Sequence, residues 1–303
     1  MSPDRWSRPG VGKSGCPVNE KGMEEMIVKP REAATLILLR EAPSEAGGFE
    51  VLMVLRHPKS PFVPRAYVFP GGALDREDCF GEMAERLAGM TREKAWELLE
   101  DCPSPEIALG SWVAAIRETF EEAGILLARD TRGEWVRFRG NPDRERFCHY
   151  RRLLSEGKIT FSRFLESENL TLAGDGLHYF SHWITPEPLP LRYDVRFFLA
   201  ETPEGQDVMH DGLELTEHLW ISPREALDLY QKGEFGLVLP QIMTLVEISR
   251  YRTVEEAIGS TKGKKVPAFL TKIRRIDGQD VEVMPDGSVY EGRLPVYTWP
   301  KKK

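Results

Sequence analysis

The chain is poor in cysteine. Four are present among 303 residues, Cys16, Cys79, Cys102 and Cys148, and no two lie at the spacing of a zinc half-site or suggest a secreted disulfide framework. Histidine is also scarce. Of the six, only His178 and His182 share a helical spacing, and the residues around them read as strand, so they do not converge on a metal. No apolar run is long enough to span a bilayer; the longest, around Ala33–Leu39, is a strand's length. The polar, Pro/Gly-rich first residues lack the apolar centre of a secretory signal. The expectation is a soluble, intracellular protein without a membrane partner. Net positive charge is missing too: 41 basic against 48 acidic residues give −7, which argues against a general binder of nucleic acid. The one basic stretch, from residue 260 to the end, carries ten Lys/Arg against five Asp/Glu. It reads as a solvated tail rather than a recognition helix.

What is present is ordinary globular material, 41% hydrophobic and 29% charged, with strand and helix signals mixed. Residues 1–30 read as a flexible leader. Ala34–Arg40 and Phe49–Arg56 read as a hairpin, and Tyr67–Phe69 as a short strand stopped by Pro70-Gly71-Gly72. Residues 80–101 read as an acidic helix with Thr91 as a cap. Ser104-Pro105 opens a helix that runs to Gly124. A helical pair follows over 141–170, then strands at 177–184, 195–200 and 218–221. Capped helices open at Ser222 and Thr253, with another over 240–251. The last forty residues read as extended, with a turn at Pro285-Asp286-Gly287. Strands mixed with helices predict an α/β layered domain.

The segment with chemistry in it is Arg117–Ile125, RETFEEAGI. On a helical wheel Glu118, Glu121 and Glu122 fall at about 0°, 300° and 40°, while Leu109, Val113, Ile116 and Phe120 fall at about 160–220°. One face packs and the other concentrates negative charge. Clustered carboxylates repel unless a cation offsets them, and hard oxygens at this spacing suit Mg²⁺ or Mn²⁺ bridging to phosphate. Arg117 lies one turn before Glu121 and is placed to pair with it. The Gly71-Gly72 bend allows close backbone approach, with a carbonyl as one more oxygen ligand.

At these residues the chain resembles the Nudix hydrolases. Their box reads Gly, five residues, Glu, seven residues, then Arg-Glu-U-x-Glu-Glu-x-Gly-U, where U is bulky and apolar. Arg117, Glu118, Glu121, Glu122, Gly124 and Ile125 match its second half. The first half departs: 44 residues separate Gly72 from Arg117 where the box has 13, and Thr119 replaces an apolar residue. Neither Asp78, six after Gly72, nor Leu109, eight before Arg117, supplies the box glutamate. A long insertion inside the box is a mark of the branch similar to the peroxisomal coenzyme A diphosphatase. VFPGGALD at 68–75, HWITPEPLPLRYDVRFFLA at 182–200 and EHLWISPREAL at 217–227 look like that branch as well.

The resemblance implies a Nudix-type α/β/α sandwich around a mixed β-sheet over residues 31–259, with helical insertions near 76–104 and 141–170 at the mouth of the site and a basic extended tail over 260–303. It implies Mg²⁺- or Mn²⁺-dependent hydrolysis of a small diphosphate substrate, coenzyme A or its acyl esters. The alternatives are ADP-ribose, NADH or a nucleotide sugar, and, in another class, a non-catalytic nucleotide-sensing regulator. Gly71, Glu118, Glu121 and Glu122 become the metal ligands; Arg117, Glu118 and Glu121 the catalytic helix; Glu214 and Glu217 the candidate bases. Arg56, Arg65 and Arg192 become candidate phosphate clamps, and Phe69, Tyr193 and Trp183 candidate adenine partners. A homodimer and a cytoplasmic location are further expectations, the latter because the chain ends in three lysines rather than a peroxisomal address.

Overall fold

A computed structural model describes residues 28–289, apart from 44–47, 61, 188, 209–214 and 277–278. Nearly all of the expected leader therefore lies outside the described residues.

In chain order the strands are β1 (Arg31–Glu41), β2 (Phe49–Arg56), β3 (Tyr67–Val68), β4 (Gly71–Ala73), β5 (Leu87–Ala88), β6 (Ala128–Arg129), β7 (Thr171–Ala173), β8 (His178–Ile184), β9 (Tyr193–Glu201), β10 (Leu215–Ile221), β11 (Ala268–Leu270), β12 (Lys272–Ile276) and β13 (Gln279–Val283). The helices are α1 (Arg76–Cys79), α2 (Arg92–Leu98), α3 (Pro105–Ala123), α4 (Asn141–Ser155), α5 (Phe161–Ser167), α6 (Pro223–Lys232), α7 (Leu239–Ile248) and α8 (Val254–Gly259).

The main sheet runs β10-β2-β1-β9-β8-β11, with β3 added on β2 and β4 on β1. It is mixed: β1 and β2 are antiparallel as the hairpin reading expects, whereas β1 and β9 run parallel from Arg31↔Tyr193 to Leu39↔Glu201. A continuous apolar run such as TLILL suits a strand buried on both faces. Alternation then divides it: Leu36 and Leu38 enter one core, with Trp112, Ile116 and Phe120 of α3, while Ile37 and Leu39 enter the other, with Tyr230, Ile242, Leu245 and Val254 of α6, α7 and α8. Helices thus cover both faces, and the α/β/α sandwich is present. No helix among the described residues is long and apolar enough to cross a membrane.

Local signals place most helix ends. Ser104 Oγ accepts from Ile107 N, Pro105 opens α3, and Gly124 closes it in the left-handed conformation at φ 74°, its N–H donating to Phe120 O. Thr91, Ser222 and Thr253 cap α2, α6 and α8 in the same way. The acidic helix expected over 80–101 is a correction. That stretch is a 3-10 turn at Gly81–Arg86, then β5, and only then α2. β5 pairs parallel with β7, Leu87 beside Leu172, so a tertiary partner overrides local helix preference. Ala268–Leu270, read as part of the tail, pairs with β8 at the sheet edge.

The second insertion packs behind α3. Phe120 stacks on Phe164 of α5 at 5.0 Å between centroids, with the rings 4° from parallel, and meets Phe147 of α4 edge-on at 6.2 Å. Whatever else α4 and α5 do, they hold the apolar back of the helix whose other face carries the glutamates.

Candidate active site

The bend is fixed to the centre of the sheet. β4 pairs with β1, Thr35 beside Gly71 and Ala34 beside Gly72, and Leu36 N donates to Pro70 O at 2.9 Å. Each glycine answers a different close approach. A Cβ on Gly71 would lie 2.5 Å from Ala34 O and 2.7 Å from Thr35 Cα; a Cβ on Gly72 would lie 2.5 Å from Glu118 Cδ. The sheet demands the first glycine and the carboxylate demands the second. Gly72→Ala should therefore leave the fold intact, because Glu118 is a flexible arm that can move aside, yet lower kcat about tenfold or more as that arm is displaced. Unchanged turnover in a folded Gly72→Ala protein would separate Glu118 from the chemistry.

α3 brings its three glutamates to this bend. Glu122, 6% exposed, accepts from Gly71 N through Oε2 at 3.0 Å. Arg117, also 6% exposed, is the hub. Its Nε and Nη2 donate to the two oxygens of Asp78, both at 2.8 Å, and Nη2 also donates to Ala73 O at 3.1 Å. Its Nη1 reaches Glu118 Oε1 at 2.9 Å and Glu121 Oε1 at 3.4 Å, the pair expected from the spacing. Asp78 overturns one expectation. It stands where the box has glutamate and braces Arg117 in a two-armed ion pair, with Asp75 N donating to its Oδ2. The long insertion therefore leaves after this brace is made and returns before Arg117.

Charge in the cluster is out of balance. Asp78, Glu118 and Glu121 face one guanidinium, with Asp75 at 3.9 Å from it. Burial opposes the charge on Arg117, but Asp78 and Glu118 outweigh it and hold its pKa well above the usual value. Burial pushes Glu118 up to about 7, aided by Glu121 and Asp78 against the pull of Arg117; Glu121 is also raised, mainly by burial. Among the described residues no three acidic, histidine or cysteine side chains converge within range of one ion, since Glu118 and Glu121 are drawn to Arg117. The donor set nonetheless fits a divalent cation: hard oxygens, negative charge in excess of its partners, and burial that penalises that charge until a cation arrives.

A stability prediction follows from Glu118. Its folded pKa exceeds its unfolded value, so the folded state holds the extra proton. That stabilisation is complete below about 4.5 and is lost as pH rises through about 7. Metal-free protein should lose stability on the order of 2 kcal/mol across that window, and Glu118→Gln should flatten the loss. Thermal melts with chelator at stepped pH read both; identical slopes in parent and variant would refute the assignment.

The remaining expected residues scatter. Glu217 lies within β10, exposed, and accepts from the Tyr67 hydroxyl at 3.4 Å; Glu214 falls outside the described residues. Arg56 donates to Ser60 Oγ, and Arg65 is exposed at φ 61°. Arg192 departs from the expected phosphate clamp. It is 4% exposed and its guanidinium donates to Thr185 O and Val28 O, joining the β8–β9 turn to the start of the described chain. Phe69 and Trp183 are core residues, Trp183 stacked on Phe269, while Tyr193 meets Phe62 edge-on. His182 is a buried partner of Asp194, whose carboxylate also pairs with Arg196 beside Glu32. Sequence reasoning counted Asp78 without giving it a role and passed over Arg151. The second was marked only by lying four residues after Phe147 on the apolar stripe of α4.

Comparison with known proteins agrees with this geometry. The family model of the NUDT19 Nudix domain matches residues 91–250, more than half of the chain. Acyl-coenzyme A diphosphatase NUDT19 of Gallus gallus is 29% identical over 265 residues, covering 75% of this chain and 70% of that protein. The Homo sapiens protein of the same name is 27% identical over 244 residues, covering 71% and 64%. A crystal structure of a Nudix hydrolase from Alicyclobacillus acidocaldarius superposes with a TM-score of 0.62 at 30% identity, over 76% of this chain and 96% of that one. With the sandwich, the glycine bend and the Arg117-centred acidic helix all in place, the chain belongs to the Nudix hydrolase family.

Proposed function

We propose that this protein hydrolyses the diphosphate linkage of coenzyme A or acyl-coenzyme A with the help of Mg²⁺ or Mn²⁺. The observation that carries the reading is the buried acidic face of α3, held against the Gly71-Gly72 bend by the Arg117–Asp78 brace. The substrate class is supported by the names of the Gallus gallus and Homo sapiens relatives.

Glu118, Glu121, Glu122 and the Gly71 carbonyl would hold the ions. Such ions supply charge neutralisation on the diphosphate oxygens and a more acidic water for in-line attack on phosphorus. The chain's own work is to place these donors. Arg117 keeps Glu118 and Glu121 on one side of the helix, and Gly71 N aims Glu122. Glu217, with the Tyr67 hydroxyl beside it on the strand that leads into the bend, is the described candidate to accept the proton from water. Arg56 and Arg65, at the end of β2 and just before β3, remain the candidates for the substrate's phosphates. The insertion around β5 and α2 is assigned to shaping the pocket for the pantetheine arm.

The test is a purified-protein assay with Mg²⁺ and with Mn²⁺ against coenzyme A, acetyl-coenzyme A, NADH and ADP-ribose, with product masses read. Adenosine 3′,5′-bisphosphate and phosphopantetheine are expected from coenzyme A. Faster turnover of NADH or ADP-ribose would reassign the substrate, and no turnover of any would leave a binding role.

A further inference from the structure

We propose that Arg151 is a positioning residue for the metal-binding face of α3, acting from the second insertion; this rests on the function proposed above. Arg151 lies on α4 and is 7% exposed. Its Nη2 donates to Glu121 O at 2.8 Å and to Glu122 O at 3.1 Å, and its Nε donates to Glu121 O at 3.3 Å. One guanidinium thus grips the backbone of two of the three candidate carboxylate ligands.

The need for that grip is physical. The last carbonyls of a helix have no partner within it and carry the negative end of the helix dipole. Gly124 N satisfies Phe120 O, and the carbonyls of Glu121 and Glu122 are the next ones. Those residues also carry carboxylates, so two negative side chains stand at the end of the helix where negative charge is disfavoured. α3 has no basic residue in its last turn to offset them. Arg151 brings the missing cation from another element. Its bonds to the Glu121 and Glu122 carbonyls steady the turn that carries those two carboxylates. Phe147, one turn earlier on α4, packs edge-on against Phe120, so the two contacts anchor α4 to adjacent positions of α3.

Arg151→Lys tests geometry apart from charge, because lysine keeps the cation and loses the fork. The readouts are Mn²⁺ binding without substrate, followed by electron paramagnetic resonance, and amide hydrogen exchange over residues 121–124. The lysine variant should bind Mn²⁺ about tenfold more weakly and exchange those amides about tenfold faster, with kcat reduced and KM for coenzyme A nearly unchanged. Phe147→Leu, which loosens the same helix without altering charge, should shift both readouts in the same direction by about threefold. Parental Mn²⁺ affinity in both folded variants overturns the proposal, even if exchange is faster, since Arg151 would then only cap a helix. Absence of Mn²⁺ binding by the parent protein would instead remove the metal site itself.

Discussion

Replacing Glu122 by glutamine is expected to lower kcat at least about a hundredfold, because a metal ligand contributes several kcal/mol of charge stabilisation. The substitution suits this site. Glu122 Oε2 accepts from Gly71 N, and a glutamine carbonyl can accept the same bond. The bend therefore stays in place and only the negative charge is lost. Thermal unfolding should accordingly move little while turnover collapses, and excess Mg²⁺ should recover part of it if the remaining donors still hold an ion. Steady-state kinetics over a range of Mg²⁺ concentrations decides the matter. Turnover within about threefold of the parent would remove Glu122 from the chemistry.

The second large effect concerns stability. Asp78→Ala should cost about 3–5 kcal/mol, the usual loss when one partner of a buried ion pair is deleted and the other charge stays behind. Asp78 is 2% exposed and accepts two bonds at 2.8 Å from a guanidinium that is itself buried. Activity should fall as well, because Arg117 freed from Asp78 would lean on Glu118 and Glu121, the groups a cation needs. Adding Arg117→Met to Asp78→Ala should cost far less than the two single losses summed. Denaturant unfolding of the four proteins measures that coupling. A cost below about 1 kcal/mol for Asp78→Ala would mean that the brace is dispensable.

The reach of the sequence differs between these two residues. Glu122 was legible because its neighbours supply a helical frame: a Ser-Pro opening at 104–105, a glycine stop at 124 and an apolar stripe opposite the acids. Asp78 was counted at its place after Gly72 but not given the role, because the box has glutamate there and this chain has aspartate. In the fold the shorter arm suffices, since α1 carries Asp78 up to Arg117 and the Asp75 backbone supports it. The broken helix at 81–98 was illegible for another reason. Its residues favour helix locally, but Gly89 takes φ 71° at a point where a Cβ would lie 2.5 Å from the Cβ of Asp175, and β5 finds β7 more than eighty positions downstream. Arg151 carried almost no signal. α4 also holds Arg144, Arg146 and Arg152, and only the docking of the helix decides which one turns inward.

The parallel pairing of β1 with β9 has a consequence for how the chain is made. Arg31 finds its neighbour in Tyr193, and Leu39 in Glu201, so the central strand leaves the ribosome long before the strand that completes it. Until then β1 has β2 and β4 beside it but an open edge on the other side, and an unpaired apolar edge invites intermolecular association. Assembly of the nascent protein must therefore wait for its second half, and overproduction at high temperature should favour inclusion bodies over slow, correct pairing.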